Sequence, residues 1–110
     1  MKPITSLSIE DARAAQVFRA LGNPARILIL QELARRKTCV HGDLADVLPL
    51  AASTVSEHLA VLKDAGLIRG PIDGDPCYCI EPAALQWLET FVQSVRVAAE
   101  GCDMSDPNCC

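Results

Sequence analysis

The sequence predicts a mainly helical domain completed by one small β-hairpin, and three observations carry that prediction. Half of the 110 residues are apolar but only four are aromatic, so the core must be built from Leu, Ile, Val and Ala, a palette that suits packed helices better than a sandwich or barrel. Apolar positions recur at spacings of three and four along most of the chain, the period of one helix face. One stretch breaks that period: LIRGPIDGDPCYCI, residues 67–80, has strand-like ends around a centre of Gly, Pro and Asp, as a hairpin with a long turn does. A chain of this length builds one modest core. A single unit over 1–101 is therefore expected, followed by a polar, cysteine-rich tail at 102–110.

Ser8 to Leu21 reads as the first helix, with Ile9, Ala12, Val17, Phe18 and Leu21 as its apolar positions and Glu10 and Asp11 in the first turn, where the helix dipole favours acids. Gly22 stops it, Asn23 can cap the next helix, and Pro24 fits a first helical position, where a missing N–H costs nothing. This second helix runs to about Arg36, with Ile27, Leu30 and Leu33 facing inward. Thr38, Cys39 and Val40 suit a short strand, and a third helix is expected from about His41 to Leu48. Pro49 falls in the turn after it, because the residue before a proline is pushed away from helical geometry. Ser53 or a neighbour then opens a fourth helix that ends at Gly66. Two short helices joined by a tight turn make a helix-turn-helix candidate. A hairpin directly behind them, Leu67–Arg69 with Cys77–Ile80, is the wing of a winged helix-turn-helix domain. Glu81 and Pro82 open the last helix, whose Leu85, Leu88, Val92, Val95 and Ala99 form a seam at spacings of three and four. Trp87 and Phe91 widen that stripe, and either a partner helix or the chain's own core could cover it.

The net charge of −4 argues against a chain that clings to any polyanion, but recognition depends on where the cations sit. Many acids fall near the two ends and in the 73–75 turn, while Arg26, Arg35, Arg36, Lys37, His58, Lys63 and Arg69 lie in the middle. No stretch is long and apolar enough for a signal peptide or a bilayer span. A cytoplasmic location is expected, with no membrane partner. Thiols stay reduced there, so six cysteines point to metal binding or redox chemistry before structural disulfides. An enzyme is not expected. Cys77 and Cys79 form a Cys-x-Cys and not a Cys-x-x-Cys centre, no phosphate-cradling loop precedes a helix, and no third group is placed to orient a base.

The runs ALGNPARILILQEL, CVHGDLADVLPLAASTVSEHLAVLKDAGLI and the Gly-Asp-Gly turn leading to CYCI resemble the ArsR/SmtB family of winged helix metalloregulators over roughly residues 12–82. STVSEHLAVLKDAGLI, residues 53–68, is the most specific part. The resemblance implies a homodimeric repressor that binds a partly palindromic operator in double-stranded DNA and releases it when a metal or metalloid ion binds. In such a dimer Phe18, Leu85, Leu88, Val92 and Val95 are the expected interface. Independently of the family, Val55, Leu59 and Leu62 share one face of the fourth helix, which leaves Ser53, Thr54, Ser56, Glu57 and Lys63 toward solvent. Short hydroxyls near a helix start let the helix approach bases and phosphates closely. The family's DNA-reading role carries over to Ser53, Thr54, Ser56 and His58, with Lys63 and Arg69 as further DNA contacts. Ser53 is also a natural N-cap, and His58 can equally be packed. The wing turn PIDGDP carries aspartates where many relatives place Arg or Lys, so wing contacts would fall to Arg69 and backbone amides.

The family places its ion sites in different parts of one fold. The arsenic motif Cys-Val-Cys-Asp-Leu of many relatives is matched here by Cys39, Val40, His41, Gly42, Asp43 and Leu44. Its second thiol is absent, and a soft trivalent ion prefers thiolates to imidazole. The zinc or nickel site of other relatives needs histidines on the last helix, which has none. Cys102, Cys109 and Cys110 remain. Arsenite and antimonite bind three thiolates in a pyramid, two of which the adjacent Cys109 and Cys110 supply. Asp103, Asp106, Pro107 and Asn108 are turn formers where the chain must fold back to Cys102. Closing that loop costs on the order of 2 kcal/mol, against roughly 10 kcal/mol or more released by a multi-thiolate site. As(III) or Sb(III) is therefore the expected inducer, bound by Cys102, Cys109 and Cys110. Ordering the tail would alter how the last helix packs at the dimer interface, and with it the spacing of the DNA-reading helices. Cys39, Cys77 and Cys79 form a second-rank candidate set brought together by strand pairing, although a packed role as small hydrophobes is favoured for them. The alternative function is a thiol redox or persulfide-sensing repressor on the same fold.

Overall fold

The computed structural model describes residues 8–36, 40–41, 44–70, 77–101, 105 and 107–108. Within these the elements run α1 (Ile9–Leu21), α2 (Pro24–Arg36), β1 (Val40–His41), α3 (Leu44–Val47), α4 (Ala52–Asp64), β2 (Ile68–Arg69), β3 (Cys77–Ile80) and α5 (Pro82–Ala99). The expected order of helices and strands is present.

Local chemistry sets most of the boundaries. Ser8 caps α1, its Oγ accepting the Asp11 amide at 3.0 Å. Asn23 Oδ1 accepts the amides of Ala25 at 2.9 Å and Arg26 at 3.3 Å, with Pro24 as the first residue of α2. The end of α4 is a Schellman turn: Gly66 at φ 79° donates to the Lys63 carbonyl, and Leu67 donates to Leu62. Glu81 caps α5 by accepting the Ala83 amide, and Gly101 at φ 102° follows its end.

The three strands form one antiparallel sheet in the order β1-β3-β2. Val40 lies opposite Tyr78 and His41 opposite Cys77, while Ile68 lies opposite Ile80 and Arg69 opposite Cys79. This pairing corrects the expected third helix. His41 is drawn into the sheet, and α3 shortens to Leu44–Val47. Thr38, Cys39 and the wing turn 71–76 lie outside the described residues.

The core is a single cluster of Val17, Ala20, Ile29, Leu33, Leu44, Val55, Leu59, Leu62, Ala65, Leu67, Ile68 and Ala84. One inward assignment changes. On α2, Ile29 and Leu33 are buried and Leu30 packs against them, while Ile27 is exposed. On α1 the buried stripe is Ala14, Val17 and Ala20, with Ile9 and Phe18 exposed. The small alanines let α1 lie close to the core, where Val17 is buried and Leu21 packs, while Ile9 and Phe18 stay outside it. Gln16 Nε2 ties α1 to the end of α4 by donating to the Asp64 carbonyl at 3.1 Å.

Gly70, at the neck of the wing, has φ 142°, and a Cβ there would collide with the Cys77 carbonyl and come within 2.9 Å of the Tyr78 ring. Gly70→Ala is expected to lose about 2 to 4 kcal/mol through backbone strain added to that clash. Urea unfolding measures it, and an unshifted midpoint would show that the neck relaxes freely.

Candidate nucleic-acid interface

The helix-turn-helix comprises α3, the bends at 48–50 and α4. Leu44 is buried, and Leu48 and Leu50 pack against the core beside it, which fixes the turn. Val55, Leu59 and Leu62 anchor α4 as the sequence predicts. The opposite face carries Ser53, Ser56, Glu57 and Lys63, all exposed, while Thr54 and His58 are half-buried along one flank of the anchored stripe. Helix α4 starts at Ala52 with Ala51 in the cap position and no side-chain cap. Ser53 is therefore inside the first turn and not the cap, and its hydroxyl makes no capping bond. Among the described residues no side chain accepts from the first-turn amides of α4, which leaves the positive end of the helix open to an anion.

His58 faces α2. Its Nδ1 lies 3.3 Å from Nη1 of Arg26. Arg26 also donates through Nε to the Ala20 carbonyl at 2.6 Å and through Nη2 to the Arg19 carbonyl at 3.3 Å, so one guanidinium joins the end of α1, the start of α2 and the middle of α4. In the sequence, Arg26 stands out only as one of the central cations. The usable signal is Asn-Pro-Ala-Arg: it puts a cation in the first turn of α2, close in the chain to the carbonyl end of α1, where the helix dipole favours positive charge. Arg69 Nε is 2.8 Å from Glu81 Oε2, so a phosphate contact from Arg69 would have to share it with that carboxylate. At the end of α2, hydrogen bonds from Arg35 and then Arg36 hold the Glu32 carboxyl below its ordinary value. Those two cations are already engaged.

The α5 seam divides into two parts. Ala84 is buried, and Leu85, Trp87 and Leu88 pack on the core, but Val92 and Val95 are 52% and 56% exposed. The open groove along this helix, about 930 Å³, is lined by residues that include Leu85, Leu88, Val92 and Arg96. Phe18, 44% exposed, continues the apolar surface from α1. Its ring lies 5.8 Å from Phe91, which stacks on Trp87 at 5.8 Å, and Arg13 sits 4.6 Å over the Trp87 ring. All five residues expected at a dimer interface thus lie on α1 or α5, two of them shared with the core.

The thiols are distributed differently. Cys102, Cys109 and Cys110 lie outside the described residues, and so does Cys39. Of the tail, Ser105, Pro107 and Asn108 are described, all exposed and in turns. Cys77 is buried and Cys79 half-buried in β3, and each is disulfide-bonded. In that state neither offers a thiolate, the form that ligates an ion. Among the described residues no group of three or more His, Cys, Asp or Glu is placed to hold an ion, and no helix is long and apolar enough to cross a membrane.

A family model described as bacterial regulatory protein, arsR family, matches residues 23–69. The HTH-type transcriptional regulator YgaV of Escherichia coli K12 is 35% identical over 96 residues, which covers 86% of this chain and 97% of YgaV. The chain belongs to the arsR family. Its fold is that of the ArsR-like transcriptional regulator from Rhodococcus sp. RHA1, with a TM-score of 0.70 at 27% identity over 79% of this chain and 82% of that one. The HTH-type transcriptional repressor SmtB of Mycobacterium tuberculosis H37Rv is 41% identical over 61 residues, 56% of this chain and 44% of SmtB, so the match spans less than half of that relative. The arsR model runs from the cap of α2 through β2. It takes in the helix-turn-helix and leaves α5 and the cysteine tail outside.

Proposed function

We propose that this arsR-family protein is a transcriptional repressor that binds operator DNA as a homodimer and is released when As(III) or Sb(III) binds the thiolates of Cys102, Cys109 and Cys110. The observation that carries the DNA half is α4. Three apolar side chains lock it into the core, its opposite face presents Ser53, Ser56 and Lys63 to solvent, and its amino end is uncapped. Such a helix can enter a major groove without a bulky side chain holding it off. The dimer half rests on the exposed far part of the α5 seam together with Phe18. A closed two-fold pairing of α5 would bury that surface and fix the separation of two recognition helices. The inducer half rests on the chemistry of the tail, three thiols in its nine residues, a donor set suited to a soft trivalent ion.

A titration of arsenite and antimonite against DNA-bound protein tests the inducer. Cys102→Ser, Cys109→Ser and Cys110→Ser are each expected to need on the order of a hundredfold more ion for release, since one thiolate of three supplies about a third of roughly 10 kcal/mol. Unchanged release in all three variants would move the site away from the tail.

The disulfide-bonded state of Cys77 and Cys79 favours a second reading, a thiol redox or persulfide-sensing repressor. β3 carries one side of the wing, so a covalent change there acts next to the DNA contacts. Mass spectrometry separates the two. Metalloid release takes three thiols per ion with no new intramolecular disulfide, whereas a redox switch adds or removes one.

A further inference from the structure

We infer that Arg26 is a positioning residue for operator recognition: it fixes the tautomer of His58 so that Nε2–H points out of the domain as a hydrogen-bond donor to the DNA backbone. The inference rests on the reading of α4 as the DNA-contacting helix and goes beyond it by assigning a role to a residue on another helix.

The chemistry follows from one contact. A guanidinium has five donors and no acceptor, so the approach of Arg26 Nη1 to His58 Nδ1 at 3.3 Å is a hydrogen bond in one direction only, from Arg26 to His58. Nδ1 is then unprotonated, and the ring proton sits on Nε2. Nε2 has no hydrogen-bond partner among the described residues, and no buried side-chain nitrogen or oxygen there lacks one. Nε2 therefore opens to solvent. His58 stands one turn beyond Thr54 on the same flank of α4, so a backbone that follows the helix past Thr54 meets a neutral N–H. Arg26 holds its end of the contact firmly because two of its other N–H groups are spent on the carbonyls of Ala20 and Arg19. The guanidinium is thus pinned to the α1–α2 corner, and the imidazole takes its orientation from that corner.

A neutral donor to phosphate predicts a specific pattern. Truncating His58 should weaken binding to all sequences equally, because phosphates carry no base identity, and should leave the salt dependence unchanged, because no cation is removed. Loss of Arg26 should act through His58 and so add nothing once His58 is gone.

The experiment uses the full chain and a labelled duplex selected from a random-sequence pool by the wild-type protein. Fluorescence anisotropy is expected to show about tenfold weaker binding for His58→Ala and for Arg26→Gln, and no further loss in the double variant, a coupling typical of groups in one network. His58→Gln, which places an amide N–H near the position of Nε2, is expected to recover most of the affinity. The wild-type protein supplies a reading that needs neither DNA nor a substitution. Two-bond proton–nitrogen correlation of its two imidazoles should show one ring protonated on Nε2, with that signature lost in His58→Ala. Single-variant losses that multiply in the double variant, or a His58 ring carrying its proton on Nδ1, would overturn the assignment. So would a His58→Ala protein that binds like wild type. If no duplex is selected at all, the DNA reading of α4 fails, and the role of Arg26 in DNA recognition fails with it. The imidazole spectrum then still reports whether the tautomer itself is set as described.

Discussion

Val92→Glu is expected to leave a folded monomer whose operator affinity has fallen on the order of a thousandfold, within the range by which linked sites exceed single ones. Val92 is more than half exposed and takes no part in the core cluster, so the substitution removes nothing that holds the domain together. It sits on the open part of the α5 seam, beside Leu88 and Val95. Across a two-fold interface the same position recurs on both subunits, so each new carboxylate would be buried in an apolar contact with no partner, at a cost of several kcal/mol. A monomer then engages one half-site and loses the second, effectively intramolecular, binding event. Sedimentation gives the oligomeric state, circular dichroism the helix content and anisotropy the affinity. Trp87, the single tryptophan, stacks on Phe91 next to this surface and reports the change in emission. A dimer that survives the substitution with full affinity would place the pairing surface elsewhere.

The elements were legible wherever a local chemical signal fixed them. Ser8, Asn23 with Pro24, Gly66, and Glu81 with Pro82 each mark a helix boundary through a cap or a stop, and each boundary lies where the sequence puts it. The anchored face of α4 was legible for the same reason, since Val55, Leu59 and Leu62 all follow one helical period. The assignments that changed depend on contacts between distant segments. Periodicity cannot tell that Val40 and His41 pair with Tyr78 and Cys77, and that pairing is what shortens α3. Nor can it tell whether Ile27 or Ile29 meets the core, because two isoleucines two residues apart fit the same run and only the approach of α4 and the sheet decides. Among the candidate site residues, the exposed hydroxyls of α4 follow from the helix period. The Arg26–His58 contact bridges 32 positions and is visible only in the fold, and the disulfide-bonded state of Cys77 and Cys79 is likewise beyond what periodicity can tell.

Leu62→Ala is expected to cost about 3 to 4 kcal/mol of stability, a typical value for a buried leucine whose site cannot collapse. Leu62 has no solvent exposure and stands in the cluster with Ile29, Leu33 and Leu67, so the cavity would open between α4, α2 and the strand that follows the Schellman turn. For a domain whose total stability is about 5 to 15 kcal/mol, such a loss removes a large share of it. The informative comparison is Ser56→Ala, six residues earlier on the opposite, exposed face of the same helix. Its stability should stay within about 0.5 kcal/mol of wild type, while its operator affinity falls. The two variants therefore separate the faces of α4. One lowers the unfolding midpoint in urea, and binds DNA normally once the folded fraction is taken into account. The other keeps the midpoint and binds weakly. If Ser56→Ala also unfolded early, the hydroxyl face would be structural. If Leu62→Ala changed neither stability nor affinity, α4 would not be seated on the core through Leu62, and some other contact would have to hold it.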